Sequence, residues 1–109
     1  MVSKFLVLYR APMSAREQMA NATPEQAKAG MDAWMAWAGK AGSAIADLGA
    51  PLGDGEAVGP GKADNEIAGF SIVEAGSQAD AVKLLADHPH FQTSGGSIEV
   101  HEFLPMPDM

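Results

Sequence analysis

Two hydrophobic periodicities alternate along the chain, and their order predicts the fold. Lys4 to Arg10 is a short, nearly continuous apolar run bounded by Ala11-Pro12, the mark of a strand buried on both faces. Met13 to Ala22 is mixed and polar and reads as a connecting segment with at most a helical turn. Thr23-Pro24-Glu25-Gln26 then opens a helix. Thr23 caps it, Pro24 suits the first helical position and Gln26 completes a capping box. Ala27, Met31, Trp34, Ala38 and Ala41 follow at helical spacing on one stripe, with Trp37 on its flank. Gly39 and Gly42 predict an end near Lys40, with a short turn over Ser43 to Leu48.

The second half repeats the theme. Gly49 to Gly61 is too rich in Gly and Pro for a central strand and predicts loops around an edge strand near Ala57 and Val58, followed by a polar turn over Lys62 to Glu66. Ile67 to Ala75 is a second strand with apolar residues on both alternating faces. Ser77 caps a helix over Gln78 to about Asp87, turning Ala81, Val82, Leu85 and part of Leu84 inward. Pro89 stops it, Gly95-Gly96 turns the chain, and Ser97 to Leu104 forms the last strand. The order βαββαβ predicts a single α+β ferredoxin-like domain over residues 1–109, an antiparallel sheet with two helices on one face.

That architecture leaves one sheet face bare, where polar residues are expected. Here Phe5, Val7 and Tyr9 oppose Leu6 and Leu8, and Phe70 and Ile72 oppose Ile67 and Val73, so both faces are apolar. A second copy of the chain covering the open face accounts for this, and a homodimer is expected. A monomer with the Gly49 to Gly61 loop laid over that face is the competing arrangement.

Composition narrows the partners. A net charge of -7 argues against nucleic acid or an anionic membrane. The absence of cysteine removes disulfides, thiol nucleophiles and cysteine metal sites, and fits a reducing compartment. The first apolar run, Phe5 to Tyr9, is too short for a signal peptide or a membrane span, which points to a cytoplasmic protein. Seven methionines and two tryptophans suit an adaptable apolar core or pocket.

Candidate chemistry gathers in residues 86–105, which hold all three histidines. His88 and His90 flank Pro89 after a helix; either is a candidate general acid or base oriented by Asp87, or a helix C-terminal group favouring the last carbonyls. His101 shares a strand face with Glu99. Ile98 and Val100 toward the helices would place that pair on the dimer side, as a catalytic carboxylate–imidazole pair or as an edge or intersubunit hydrogen bond. Tyr9 and Trp37 are candidate pocket groups beside Asp87 and Glu99. His88-x-His90 with His101 and a carboxylate matches no metal-ligand spacing, so no metal is expected. The Gly-Asp-Gly and Gly-Pro-Gly loops lack the following Lys-Ser/Thr of a phosphate loop, and no Gly-x-Ser-x-Gly elbow occurs, so no cofactor is expected either.

The ordered set of segments resembles the YCII-related (DGPF-domain) family. The resemblance is carried by Lys4-Phe5-Leu6-Val7-Leu8-Tyr9, Trp34-Met35-Ala36-Trp37, Leu48-Gly49-Ala50-Pro51-Leu52, Ile67 to Ala75 followed by Ser77, His88-Pro89-His90-Phe91 and Gly96 to Glu102. It implies a dimeric α+β barrel and, in some relatives, small-molecule chemistry by a His–Asp pair in a cleft near the subunit boundary. No histidine precedes His88 here, and Val58-Gly59-Pro60-Gly61 stands where the Asp-Gly-Pro-Phe signature is expected. Three functions follow as expectations: a dimeric module binding a small apolar or aromatic ligand or serving structurally; a small cofactor-independent proton-transfer enzyme, isomerase- or lyase-like, using a cleft histidine; or an interaction protein contacting a partner through Met106 to Met109.

Overall fold

The computed structural model describes residues 2–105. Met106 to Met109, the expected partner-contacting tail, lies outside them. In chain order the elements are β1 (Ser3–Arg10), α1 (Ala15–Asn21), α2 (Pro24–Ala41), β2 (Ile45–Pro51), β3 (Ile67–Ala75), α3 (Gln78–Leu85) and β4 (Ser97–Glu102). Single-turn 3₁₀ helices cover Gly42–Ala44 and Pro89–Gln92. The strands form one antiparallel sheet in the order β2-β3-β1-β4, the ferredoxin-like arrangement.

The pleat of β1 sorts its side chains. Phe5, Val7 and Tyr9 are fully buried, while Leu6 and Leu8 between them are half-buried. In register with the buried set stand Val73, Ser71 and Gly69 of β3 and Val100 and Ile98 of β4. Trp37 of α2 and Ala81 and Leu85 of α3 close on Phe5, Val7, Tyr9 and Val73, so both longer helices lie on this one face. Full burial of a side chain such as Phe5 or Val7 contributes roughly 1.5–3 kcal/mol. Leu6 and Leu8 point the other way, in register with Ile72 and Phe70, on a face without a helix.

The helix starts follow local chemistry. The Thr23 hydroxyl accepts the Gln26 backbone N–H (3.1 Å), and the Gln26 side chain accepts the Thr23 N–H (2.9 Å). Ser77 Oγ accepts the Asp80 N–H (3.1 Å), and Ser14 does the same for Glu17 in α1.

The structure corrects several expected details. The edge strand is Ile45–Pro51, not the Ala57–Val58 region, which is exposed loop. Its pairing with β3 is interrupted between Ile45 and Asp47 and again between Asp47 and Ala50. Gly49, at φ 80°, sits so close to β3 that a Cβ would stand 1.7 Å from the Phe70 carbonyl oxygen. Irregular pairing through a glycine hides the strand from a period-two pattern. The Met13 to Ala22 connector contains a true helix, α1. In α2 the buried tryptophan is Trp37 (4 % exposed), with Trp34 only partly covered. Ala27 and Met31 of the expected stripe are exposed, since only the C-terminal half of α2 packs on the core. Val82 is exposed too, turned away from the α3 positions Ala81 and Leu85 that meet the sheet. Gly53 to Lys62 holds no buried residue. Among the described residues no helix is long and apolar enough to cross a membrane.

Candidate functional site

An apolar cavity of about 310 Å³ opens between the helix layer and the β2–β3 side of the sheet. Its floor is Tyr9 with Ala68 and Gly69; Leu48 to Pro51 of β2 forms one wall, Met31, Trp34 and Met35 of α2 another, and Ala15, Gln18 and Met19 of α1 the rim. His90 reaches it from the 3₁₀ turn after α3. The volume lies at the low end for small-molecule sites, and the wall is mostly methionine, aromatic and aliphatic, as such sites are.

Hydrogen bonds fix the polar groups. The Ser71 hydroxyl donates to the Leu48 carbonyl (2.6 Å), and the Tyr9 hydroxyl donates to Ser71 Oγ (2.8 Å). Burial raises the Tyr9 pKa, with the Ser71 bond partly offsetting it, so the phenol stays protonated at neutral pH. His90 is 6 % exposed, and its Nε2 lies 2.8 Å from the Arg10 carbonyl. A carbonyl only accepts, so Nε2 carries the proton.

His88 occupies a different place. It is 2 % exposed and surrounded by Tyr9, Trp34 and Trp37, with ring centroids 4.8, 4.5 and 4.3 Å away. Its Nδ1 accepts the His90 backbone N–H (2.9 Å), which closes the turn after Pro89. The Nε2 atom is buried without a hydrogen-bond partner. Burial chiefly, and the neighbouring His90 next, pull its pKa down to about 4 against a smaller upward pull from Asp87, so the ring is neutral at pH 7. Its position pins the turn that presents His90 to the cavity.

The third histidine stands on the opposite side of the sheet. The side chain of His101 is 57 % exposed, with Nε2 2.9 Å from Glu99 Oε1. Glu99 also holds Arg10 Nε through Oε2 (3.0 Å), and Arg10 Nη1 binds Asp64 (2.5 Å). The Arg10 hydrogen bond holds the Asp64 carboxyl below the usual carboxylate range, and that bond likewise raises the guanidinium pKa. Leu6 lies in register with His101, and Leu8 with Glu99, so this charged chain flanks the apolar open face.

The sequence-derived candidates therefore separate into four groups. Tyr9 and His90 meet in the cavity, while His88 lies behind them within the core. Glu99 and His101 pair on the open face. Trp37 packs in the core outside the cavity lining, its Nε1 donating to the Leu84 carbonyl (3.2 Å). Asp87 is exposed and bonded to Lys40, which lowers its pKa. Among the described residues no three His, Asp or Glu side chains are grouped to hold a metal ion. The sequence puts Met31 on a core stripe and does not single out Met19, Met35 or the Leu48 to Pro51 wall as cavity lining; for Met31 and Met35 the available signal is their i, i+4 spacing next to small residues.

Comparison with known proteins places this geometry on a known fold. No protein-family model matches the chain, and no curated protein matches it. Among solved structures it is similar to the 5-chloro-2-hydroxyhydroquinone dehydrochlorinase TftG of Burkholderia phenoliruptrix AC1100, determined in complex with 2,5-dihydroxybenzoquinone. The two share 18% identity and superpose with a TM-score of 0.54 over 97% of this chain and 96% of the other. At that identity the likeness is one of fold, and it spans the full α+β unit rather than a shared motif. The fold reading from the order of elements and the fold of this neighbour agree.

Proposed function

We propose that this chain is a YCII-related protein that binds a small, neutral, largely apolar or aromatic molecule in the cavity beneath α2, and that it works as a homodimer in the cytoplasm. The cavity carries the reading. It combines a floor of Tyr9, a wall of Trp34, Met31 and Met35, and the buried His90, and no Asp, Glu, Lys or Arg lines it. A bound charge would lose its water without gaining a partner, so neutral ligands are favoured. The neighbour's complex with a single-ring quinone supports a small-molecule role for the same fold. The resemblance of the sequence segments to the YCII-related family supports the dimer, as do the half-buried Leu6, Leu8, Phe70 and Ile72 on the open face. The acidic, cysteine-free composition supports the location.

One observation favours a second reading, a cofactor-independent proton-transfer enzyme of isomerase or lyase type. His90 lines the cavity beside Tyr9, ring centroids 5.4 Å apart, and in its neutral ring Nδ1 is a free base once Nε2–H is committed to Arg10. In that reading His90 takes a proton from the ligand.

The binding claim is tested by filling the cavity. Gly30 lines it, and a Cβ there would meet nothing within 4 Å. Gly30→Phe therefore adds bulk at the cavity without displacing the core. Titration of the wild type with 2-naphthol should quench tryptophan fluorescence to saturation, and Gly30→Phe should abolish the effect. Equal quenching in both proteins contradicts the assignment.

A further inference from the structure

We propose that the cavity selects phenolic ligands: a neutral aromatic ring whose hydroxyl donates its hydrogen bond to one of the two free acceptors, Tyr9 Oη or His90 Nδ1. This rests on the cavity being the binding site and adds what the ligand must bring to it. The argument is proton accounting. Ser71 has one hydroxyl proton, and the Leu48 carbonyl, which has none to give, takes it. The Tyr9 proton must then point at Ser71 Oγ, leaving Tyr9 Oη with lone pairs only. The ring N–H of His90 is likewise consumed by the Arg10 carbonyl, and the second nitrogen of a neutral imidazole is an acceptor.

Two of the three polar side chains that line the cavity, Tyr9 and His90, therefore have only acceptor capacity left to offer a ligand. Gln18 spends one amide N–H on the Met13 carbonyl (2.7 Å) and keeps both a second N–H and its carbonyl oxygen, so it places no one-sided demand on a ligand. A ligand offering only acceptors, such as a quinone or an ether, would set lone pair against lone pair there, and a buried acceptor left without a donor is penalised. A carboxylate would add an unpaired charge in an uncharged wall. A neutral phenol brings a donor without a charge, and the Trp34 and methionine lining suits its ring.

The wild-type protein at pH 7.5 is titrated with 2-naphthol, 2-methoxynaphthalene, 1,4-naphthoquinone and 2-naphthoate, with heat and tryptophan fluorescence as readouts. One donated hydrogen bond corresponds to roughly ten-fold in affinity, so 2-naphthol should bind about ten-fold tighter than its methyl ether. The quinone and the carboxylate should bind more weakly still. Equal affinity for the naphthol and the methyl ether, with both lost in Gly30→Phe, overturns the donor requirement and leaves the cavity as a plain apolar site. Binding that persists in Gly30→Phe, or no binding of any probe, overturns the cavity assignment itself.

Discussion

On the helix side of the sheet, β1 contributes Phe5, Val7 and Tyr9, none more than 2 % exposed; on the other side the same strand contributes Leu6 and Leu8, half-buried in the single chain. The histidines divide in the same way. His88 is walled in by Tyr9, Trp34 and Trp37, and held neutral, whereas His101 stands in solvent, paired with Glu99 and through it with Arg10. An open apolar face and a packed core call for different experiments, because a substitution in the core disturbs folding, whereas one on the open face tests the proposed dimer.

The largest contrast should come from a charge placed on each side of β1. Val7→Asp buries an unpaired carboxylate among Phe5, Tyr9, Trp37 and Val73, and should cost roughly 3–5 kcal/mol, enough to leave much of the protein unfolded. Leu6→Asp should leave the circular dichroism spectrum unchanged and convert a dimer into a monomer at micromolar concentration, as read by sedimentation. A wild-type protein that is already monomeric under those conditions would remove the second copy from the account.

Acid should separate the two sides next. An unfolded histidine titrates near 6.5 and His88 in the fold near 4, so between those values the unfolded chain binds the extra proton and the native state does not. Stability is therefore full above pH 6.5 and falls as the pH drops toward 4. By pH 4.5 the His88 contribution should have lost roughly 2–3 kcal/mol, a burial-driven effect. In urea titrations at pH 7 and pH 4.5, His88→Phe should lose less stability across that interval than the wild type, by about this amount. Parallel losses in His88→Phe and wild type would place the buried charge elsewhere.

Four elements were legible because each carries a strong local cue: the Thr23–Gln26 capping box of α2, the Ser77 cap of α3, and the apolar runs of β1 and β3. The edge strand was not, because Gly49 bulges it and Pro51 ends it, and neither leaves a period-two pattern. The cavity was legible only in part. Alternation grouped Tyr9 with Phe5 and Val7, and Glu99 with His101 opposite Ile98 and Val100, but did not say which set meets the helices. That Trp37 turns into the core, while Trp34, Met31 and Met35 border a space, depends on how far α2 overhangs the sheet, which is a tertiary property. His88 and His90, two residues apart, differ because the 3₁₀ turn after Pro89 sends one ring into the core and the other to the cavity.

The smallest effect is expected at Asp87, which sits outside the cavity in an exposed ion pair with Lys40. Asp87→Asn should leave the thermal midpoint and 2-naphthol affinity at wild-type values; a several-fold loss of affinity would extend the site around the end of α3.

Methyl-labelled methionine offers the most direct measurement, since Met19, Met31 and Met35 border the cavity. In a protein labelled at methionine, leucine and isoleucine methyls and titrated with 2-naphthol, the account predicts saturable shifts of those three methionines, with Leu6 and Ile72 on the open face unmoved. Shifts centred on Leu6 and Ile72, with Met31 and Met35 silent, would contradict it and move the ligand to the opposite side of the sheet.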